Sequence, residues 1–455
     1  MQRIGRIYGE IIGERFTFAS KKFFKGDYVK IKEDEARDDS AELIGEVIIR
    51  GVSNRFLTTP EVIKYLDDSM DFERDTIYTY TVERIGAIKN GEISFERVNA
   101  IPGKNVYTVN PEMLKTVYGI GNKGQKIGYL RKMSECDVIL DAQKIFSPHL
   151  FIVGKTGSGK SYFTKKFFSY LNETFWIFSP TDEYNDLGIK NTCKILNDFT
   201  LNLDNLSYYA DLNASEELIF KNLKFQNERS YTFQEIVDEI YEYYIKKNNK
   251  KAKQISFDFV ENDLPELELP TYANTLISKL KNLRHLKFVK SNKFHQISQS
   301  SIVFELSKYT QLEQECIINY YLFNLFQRCS AKSGNDRKKY IIVIEEAHNY
   351  MPSVRNTLCK SILGTLSRQG RKHGISLCFI TQRPRFFDQT ALSQSGNKVI
   401  FALPNPDDVK HIMEDVNKSE LAMLIPNQRV GECIIAGDAF NDLLQVVIQF
   451  NTSDK

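Results

Sequence analysis

A glycine-rich segment carries the residue types that hold a polyphosphate and a magnesium ion. Its residues satisfy the pattern GxxxxGK(S/T), in which backbone N–H groups and the first turn of a helix surround an anion. The lysine pairs with the β and γ phosphates, and the serine hydroxyl group is a hard oxygen ligand suited to Mg²⁺. The spacing predicts a nucleoside triphosphate site formed by Gly154, Lys155, Thr156, Gly157, Ser158, Gly159, Lys160, Ser161 and Tyr162.

Two adjacent glutamates end an apolar segment later in the chain. Residues 340 to 344, YIIVI, indicate a buried strand, and Glu345 and Glu346 follow directly. A nucleotide hydrolase needs one acid to orient Mg²⁺ through its water shell and another to align or deprotonate the attacking water. We assign Glu345 to the first role and Glu346 to the second, because the same chain carries a complete phosphate-binding loop.

Two arginines and a glutamine complete the candidate catalytic side chains. Residues 354 to 367 show apolar residues on one helical face, and Arg368 and Arg371 follow near the predicted C-terminus. These cations either complement the helix dipole or reach the γ-phosphate of a neighbouring subunit as an arginine finger in trans. Residues 375 to 384 predict a core strand that delivers Gln382 to the ligand edge of the sheet, where it can sense the γ-phosphate.

The elements around these residues predict a parallel sheet. Residues 150 to 153 indicate a buried strand, and residues 161 to 171 indicate an amphipathic helix. A second buried strand at residues 174 to 180 completes a βαβ unit, which requires parallel strands and a right-handed crossover. Because ligands bind at the carboxyl edge of such a sheet, Asp182 and Glu183 either position water or Mg²⁺ or form a solvated polar turn.

The first part of the chain predicts a separate β domain. Residues 1 to about 110 contain short segments of β-branched and aromatic residues, divided by turn residues. This pattern suggests a small β-barrel with a role in assembly rather than a second active site. A connector over residues 111 to 148 leads to a sheet domain over residues 149 to 455, where His149 is expected to pack or hydrogen-bond.

A polar helical insertion interrupts the sheet domain at about residues 200 to 300, where apolar residues recur at spacings of three and four. Residues 246 to 253, KKNNKKAK, carry five lysines and no acid, and a second cationic run lies between residues 279 and 293. Such lysines either form a solvated face or contact a phosphate backbone without reading its sequence. Both interpretations remain open at this stage.

Composition limits the class of protein. The 455 residues carry a net charge of +3, too small to demonstrate a nucleic-acid partner, so any basic surface must be local. The seven cysteines are scattered with no CxxC pair, which favours a reducing compartment and disfavours a zinc site. Apolar runs fall short of the roughly eighteen residues that span a bilayer, and the N-terminus lacks a signal peptide's apolar segment. We therefore expect a cytoplasmic protein without a membrane segment.

The order and wording of several segments resemble the HerA family of hexameric DNA-pumping ATPases, relatives of FtsK. The segments are HLFIVGKTGSGKS, FWIFSPTDEYNDL, IVIEEAHNYMP, LSRQGRKHGISL, ITQRPRFFD and NKVIFALPNPDDV, and a predicted β-barrel precedes them. The resemblance implies a RecA-like ATPase core, and hence an α/β fold class with a helical insertion and an N-terminal β-barrel. It also implies a homohexameric ring with ATP at the subunit interfaces and double-stranded DNA in the central channel.

The resemblance implies roles for individual residues and for a partner. Carried over to this chain, Lys160 and Ser161 bind phosphate and Mg²⁺. Glu346 is the catalytic glutamate and Gln382 is the sensor. The finger supplied in trans is Arg368 or Arg371. The N-terminal barrel is implied to dock a partner. That partner is a nuclease of the NurA type or, in antiviral defence, an effector such as a sirtuin-like NAD hydrolase or another nuclease.

The chain departs from the family pattern in two places. Glu345 stands where phosphate-loop ATPases usually have aspartate, so the charge is kept but its reach changes. Many relatives read Asp-x-x-Gly-Glu-Tyr after the second strand, whereas this chain reads SPTDEY. Ser179 and Asp182 therefore differ while Glu183 and Tyr184 remain, which weakens a role carried over for Glu183.

Three functions fit the sequence. The hydrolysis residues and the lysine-rich insertion favour an ATP-driven motor that moves double-stranded DNA for a partner nuclease. The barrel and the modest net charge favour a ring-shaped scaffold that organises and gates a defence effector, with nucleotide binding as the regulator. A conjugation or secretion ATPase of the same superfamily is less favoured, because such motors usually work at a membrane.

Overall fold

The computed structural model describes residues 2–35, 40–54, 76–94, 99–184, 193–203, 212–226, 229–247, 271–289, 300–331, 338–416 and 421–449. Two compact units are formed. The first draws on Met1–Ile145, Asn397–Ala402 and Met423–Lys455, and the second on Phe146–Gly396 and Leu403–Ala422. Within the described residues, every helix is too short or too polar to cross a bilayer.

In the described ranges, seven strands come first, and helices and strands are interspersed after residue 110. The strands are β1 (Arg3–Ile12), β2 (Arg15–Ser20), β3 (Tyr28–Lys32), β4 (Glu42–Asn54), β5 (Thr76–Lys89), β6 (Glu92–Ile93), β7 (Asn105–Thr108), β8 (Gln125–Leu130), β9 (Met133–Leu140), β10 (Leu150–Val153), β11 (Thr174–Ser179), β12 (Cys193–Leu196), β13 (Thr200–Asn202), β14 (Ser230–Tyr231), β15 (Lys287–Val289), β16 (Ser301–Glu305), β17 (Tyr340–Ile344), β18 (Ile375–Thr381), β19 (Asn397–Phe401), β20 (Glu432–Gly437) and β21 (Leu444–Ile448). The α-helices are α1 (Pro111–Tyr118), α2 (Ala142–Ile145), α3 (Lys160–Phe168), α4 (Ala214–Lys221), α5 (Phe233–Lys247), α6 (Thr271–Lys281), α7 (Gln311–Ser330), α8 (Lys360–Gln369), α9 (Gln389–Gln394), α10 (Pro406–Val416) and α11 (Leu421–Leu424). Short 3₁₀ turns cover Asp182–Tyr184, Ala347–Asn349, Gly370–His373 and Pro384–Phe386.

The N-terminal strands close into a β-barrel. Antiparallel pairing runs in the order β2-β1-β7-β3-β4-β5, and β5 pairs back with β2. Alternate residues face inward, and Phe16, Phe18, Tyr80 and Val82 are buried in one apolar core. Closure pairs both edges of the sheet, so the predicted barrel is confirmed.

The first unit also contains further strands that pair antiparallel, in the order β19-β20-β21-β8-β9. Helix α1 leads into these strands from the barrel. Asn110 caps the start of this helix by accepting a hydrogen bond from Met113 N–H, and Gly119 ends it at φ 73°. The division into a barrel, a connector and a sheet domain at residues 110 and 148 stays a prediction.

The second unit is built on a parallel sheet. Its strands lie in the order β12-β16-β11-β17-β18-β10, and each neighbouring pair is parallel. Strands β10, β11 and β17 are buried along their whole length, as expected for strands covered on both faces. The predicted α/β fold class is confirmed, and the sheet order brings the carboxyl ends of four candidate strands together.

The helical insertion is confirmed, and it contains a small sheet that the sequence pattern did not predict. Strands β13, β15 and β14 pair beside helices α4, α5 and α6. The side chains of the lysine-rich segment 246 to 253 lie outside the described residues. In the second cationic run, Lys279 pairs with the buried Glu216 at 2.7 Å and Lys287 pairs with Asp198 at 2.8 Å. Ion pairing therefore accounts for part of that run.

The helix predicted over residues 354 to 367 begins later, at Lys360. Val354, placed on the apolar face of that predicted helix, is 94% exposed. Local hydrogen bonds hold the preceding segment out of helical geometry, since Thr357 Oγ1 donates to the Tyr350 carbonyl and Arg355 donates to the Asn349 carbonyl. The prediction of a helix start at residue 354 was wrong for this reason.

Candidate nucleotide-hydrolysis site

The candidate residues follow the carboxyl ends of adjacent parallel strands. Strand β18 lies between β17 and β10, with Phe379 beside Ile344 and Thr381 beside Val153. Strand β11 lies on the other side of β17. The phosphate-binding loop, the two glutamates and Gln382 therefore meet at one edge of the sheet, which is where ligands bind in open α/β sheets.

The loop between β10 and α3 has the geometry of an anion cradle. Gly157 and Gly159 adopt φ values of 73° and 113°, which side chains disfavour, and a Cβ at Gly157 would meet only open space. Gly159 precedes α3 and provides no side-chain cap. The first N–H groups of an α-helix have no acceptor within the helix itself. Such N–H groups and the helix dipole favour a bound anion.

Lys160 lies across this loop. Its ammonium group donates to the carbonyl oxygens of Gly154 at 2.6 Å and Lys155 at 2.9 Å. Burial lowers the pKa of Lys160, and the charges of Glu346, Glu183 and Glu345 oppose that shift. A cation surrounded by carboxylates and pointing along the loop is placed to pair with phosphate oxygens.

Ser161 and Thr156 connect the loop to neighbouring strand ends. The Ser161 hydroxyl group donates to Glu183, in the 3₁₀ turn after β11. The Thr156 hydroxyl group donates to Gln382 Oε1, and Gly154 N–H lies 3.4 Å from the Thr381 carbonyl oxygen. The loop is therefore hydrogen-bonded both to the turn after β11 and to the residue that follows β18. Tyr162 is half-buried on α3, beside Ser161 in sequence.

Glu345 is buried and held by hydroxyl groups. Its Oε2 accepts hydrogen bonds from Ser179 at 2.6 Å and Thr181 at 3.2 Å. Burial raises the pKa of Glu345 to about 7, the two hydroxyl donors oppose the shift, and the charge of Glu183 adds to it. The departure from the family pattern at Ser179 thus places a donor where an aspartate would set a second carboxylate against Glu345.

Glu346 points toward the loop rather than into the core. Its backbone is left-handed at φ 47°, which turns the chain sharply out of β17. Burial raises the pKa of Glu346, while the charges of Lys160 and Arg383 and a hydrogen bond from Gln382 oppose that shift. Its Oε2 is buried and has no hydrogen-bond partner in the part of the chain that the structure describes. An acceptor left open in this way fits a water molecule.

Arg368 and Arg371 are not brought to the loop of their own chain. Both are exposed: Arg368 lies in the last turn of α8 and Arg371 in the 3₁₀ turn after it, just before the amino end of β18 and opposite to the phosphate-binding edge. The Arg368 guanidinium group folds back over Gly364, 3.5 Å from where a Cβ would stand. Their predicted role in cis is therefore confined to the helix C-terminus, and any contact with a γ-phosphate has to come from another subunit.

His149 links the amino ends of two strands, as the sequence predicted for a hydrogen-bonding residue. Its Nδ1 accepts from Leu377 N–H at 3.0 Å, which leaves Nε2–H to donate to the Ser367 carbonyl at 2.9 Å. Burial lowers the pKa of His149 to about 4, and the charge of Arg371 contributes. The ring is neutral at pH 7 and joins β10 to α8 and β18.

The donor set fits a nucleotide with Mg²⁺. Among the described residues, no three His, Cys, Asp or Glu side chains converge closely enough to hold a metal by themselves. Mg²⁺ bound with nucleotides usually takes only one or two protein oxygens and completes its shell with phosphate and water. The hydroxyl oxygen of Ser161 and the carboxylates of Glu345 and Glu183 are hard oxygen donors of that kind.

Sequence reasoning predicted the strand ends but underrated several side chains. The sequence allows either a functional role or a solvated turn for Glu183, and the hydrogen bond from Ser161 favours the functional role. The partnership of Ser179 with Glu345 and the proximity of His348 to Glu346, with Nδ1 and Oε2 3.3 Å apart, were missed. The available signal was that these residues follow the ends of neighbouring parallel strands. That signal indicates that the side chains lie near one another, but it does not indicate which of them form hydrogen bonds.

Comparisons with known proteins place these observations in a family context. The family described as "Helicase HerA, central domain" matches residues 125–325. A probable helicase of Methanocaldococcus jannaschii is 30% identical, over 95% of this chain and 88% of that protein. The DNA double-strand break repair helicase HerA of Saccharolobus solfataricus is 26% identical, over 82% of this chain and 80% of that protein.

A solved structure supports the same fold. VirB4 of Thermoanaerobacter pseudethanolicus superposes with a TM-score of 0.51 at 17% identity, over 73% of this chain and 98% of that one. At this level of identity the likeness concerns the architecture alone. It agrees with the α/β architecture described above.

Proposed function

The chain belongs to the HerA family of helicase ATPases, and from that premise we propose that it is a motor that hydrolyses ATP to move double-stranded DNA. The observation that carries the proposal is the meeting of Lys160, Ser161, Glu345, Glu346 and Gln382 at one edge of a parallel sheet. Lys160 is a cation suited to phosphate, and Ser161 and Glu345 carry hard oxygen ligands. Glu346 has a carboxylate oxygen without a hydrogen-bond partner among the described residues. Gln382 contacts both the loop and this carboxylate.

The residues divide the work of hydrolysis. Lys160 and the loop N–H groups would bind the β and γ phosphates, and Ser161 and Glu345 would hold Mg²⁺, the latter through water. When bound, Mg²⁺ neutralises charge that develops on the phosphate oxygens. Glu346 aligns the attacking water through its open oxygen, and Gln382 senses the γ-phosphate from between the loop and this carboxylate.

Assembly into a homohexamer would complete the site. Arg368 and Arg371 lie at the opposite edge from their own loop and are exposed, so a neighbouring subunit can receive either one. An arginine supplied in trans stabilises charge in the transition state of phosphoryl transfer. We propose that hydrolysis depends on the ring, with ATP at each subunit interface, and that the protein is cytoplasmic.

The barrel is proposed to dock the partner that uses the motor. Its outer surface carries apolar side chains, with Ile12, Ile49 and Val52 at 75%, 60% and 66% exposure. Exposed apolar groups of this size favour protein contacts. We propose a nuclease or a defence effector as that partner.

A ring scaffold that gates the effector is the second candidate. The same exposed barrel residues support it, and the ion pairs of Lys279 and Lys287 leave less free positive charge for DNA in the insertion. In a scaffold, a Glu346→Gln variant that binds but does not hydrolyse ATP would still assemble with the effector and support its activity. In a motor, the same variant would bind the effector without supporting DNA processing.

The proposed function is tested by ATP hydrolysis with and without duplex DNA. We expect duplex DNA to stimulate the wild-type rate, and Lys160→Ala and Glu346→Gln to abolish hydrolysis. Lys165→Ala is the matched control, since this half-buried lysine of the same helix lies outside the loop. A hydrolysis rate that does not change with DNA, or that persists in both Lys160→Ala and Glu346→Gln, would contradict the proposed motor function.

A further inference from the structure

Glu346 is held in an uncommon conformation with one oxygen unsatisfied. A left-handed backbone at a non-glycine residue costs of order 1 kcal/mol, so the surroundings must maintain it. Its Oε2 lacks a hydrogen-bond partner among the described residues and lies 3.3 Å from His348 Nδ1. His348 belongs to the 3₁₀ turn Ala347–Asn349 that follows directly. The orientation of the carboxylate is therefore closely tied to this ring.

His348 has a second neighbour on the adjacent strand. Its Nδ1 lies 2.9 Å from Thr381 Oγ1, and Thr381 is fully buried at the end of β18. Thr381 Oγ1 also accepts a hydrogen bond of 3.1 Å from Arg383 N–H. One ring nitrogen thus faces the Glu346 carboxylate on one side and the threonine hydroxyl group on the other.

The two neighbours of His348 lead to different parts of the site. Thr381 precedes Gln382, which touches both the loop residue Thr156 and the Glu346 carboxylate. Burial lowers the pKa of His348 to about 4, so at pH 7 the ring is neutral and carries a single N–H. Nδ1 lies at hydrogen-bond distance from the threonine hydroxyl group and slightly farther from the carboxylate.

We propose that His348 is a positioning residue that couples the Glu346 carboxylate to the sensor end of β18. The ring proton is placed on Nδ1, and the ring is anchored on Thr381 Oγ1. When Gln382 shifts against a bound γ-phosphate, Thr381 moves with it and brings Nδ1–H within hydrogen-bond distance of Glu346 Oε2. That bond holds the carboxylate in the orientation that aligns the attacking water. The inference rests on the proposed hydrolysis of ATP and adds how the site reports that the γ-phosphate is present.

The test uses the full-length chain with three variants. His348→Ala removes the N–H, His348→Asn keeps an amide N–H near the position of Nδ1, and Thr381→Val removes the hydroxyl group at nearly constant shape. We expect His348→Ala to lower kcat by about tenfold or more, which corresponds to roughly 1.4 kcal/mol, with KM for ATP within about twofold of wild type. His348→Asn is expected to recover most of the rate.

The double variant separates coupling from scaffolding. Thr381→Val should lower kcat as His348→Ala does, and His348→Ala/Thr381→Val should be little worse than the lower single variant, because both interrupt one link. Thr365→Val is the control, since its hydroxyl group donates to the Ser361 carbonyl within α8. Melting temperatures of all variants identify any loss of folding, and His348→Asn and Thr381→Val carry the test if His348→Ala does not fold.

Three results would overturn the inference. They are an unchanged kcat in folded His348→Ala, an equal loss of ATP affinity and rate, and additive effects in the double variant. Wild-type protein that hydrolyses ATP while His348→Ala is unaffected would remove this inference alone. A wild-type protein without hydrolysis would remove the proposed function and the inference with it.

Discussion

The Ser179 hydroxyl group donates a 2.6 Å hydrogen bond to Glu345 Oε2, and both residues are buried. Strands β11 and β17 are neighbours, so residues 166 positions apart in sequence meet where these strands end. The bond opposes the effect of burial, which raises the pKa of Glu345 to about 7. It therefore keeps more of the carboxylate ionised near neutral pH.

Replacing Ser179 with alanine tests this relationship. The buried carboxylate would lose a donor, which costs about 1–3 kcal/mol in the free energy of unfolding. Its pKa would rise further, so more Mg²⁺ would be needed for half-maximal hydrolysis at pH 7. Urea unfolding and Mg²⁺ titration of the ATPase rate measure the two effects. Ser393→Ala is the control, because its hydroxyl group donates to the carbonyl group of Thr390, an exposed residue. Equal behaviour of the two variants would disprove the relationship.

Glu183 is expected to support Mg²⁺ through Ser161. Glu183→Gln keeps the shape of the side chain and removes its charge, so the Mg²⁺ concentration for half-maximal hydrolysis should rise by about threefold to tenfold. Glu173→Gln is the matched control, since Glu173 precedes the opposite end of the same strand. An Mg²⁺ dependence equal to that of the control variant would show that Glu183 does not support Mg²⁺ binding and is part of a solvated turn.

His149 is expected to make the protein sensitive to acid. Its folded pKa of about 4 lies below the ordinary value of 6.5, so the unfolded chain binds more protons between these values. Its contribution is complete above about pH 6.5 and is lost as the pH falls toward 4. From pH 7 to pH 5, the free energy of unfolding of wild type relative to His149→Leu should fall by about 2 kcal/mol.

The comparison with His149→Leu is needed because Glu345 acts in the opposite direction. Its raised pKa makes the folded chain bind more protons between about pH 4.5 and 7, so its contribution to stability falls as the pH rises. Subtracting the variant cancels that effect. A difference between the two proteins that is constant from pH 7 to pH 5 would contradict the neutral, buried histidine.

Mixing two inactive variants tests whether the site is shared between subunits. Lys160→Ala lacks the phosphate cation, and Arg371→Ala or Arg368→Ala lacks the candidate trans finger. At interfaces where a Lys160→Ala subunit supplies its arginine to an arginine-variant loop, every group is present again. We expect mixed preparations to recover up to about a quarter of the wild-type rate with the arginine that acts in trans. Recovery in neither mixture would contradict an arginine supplied in trans.

The sequence predicted the sheet edge because its rules are local and strong. A strand, a glycine-rich turn and a helix in that order require a parallel strand, and parallel strands present their ends on one side. Lys160, Glu346 and Gln382 were placed together on this ground. The barrel followed from short segments of β-branched and aromatic residues divided by turn residues.

Side-chain partnerships were beyond that reasoning. Strand periodicity indicates which edge of the sheet a residue occupies. It does not indicate that His348 hydrogen-bonds with Thr381 or that Ser161 hydrogen-bonds with Glu183. Backbone details failed for a related reason. The apolar spacing of residues 354 to 358 favours a helix, and hydrogen bonds to the carbonyl groups of Asn349 and Tyr350 override that preference.

The central claim is that hydrolysis at this site moves double-stranded DNA, and displacement of a triplex-forming strand from a duplex tests it most directly. Wild-type protein with ATP and Mg²⁺ is expected to release the third strand. Glu346→Gln, and wild type with a non-hydrolysable analogue, should leave the third strand in place while still binding duplex DNA. Wild-type protein that hydrolyses ATP at a DNA-stimulated rate and yet releases no third strand would contradict the account.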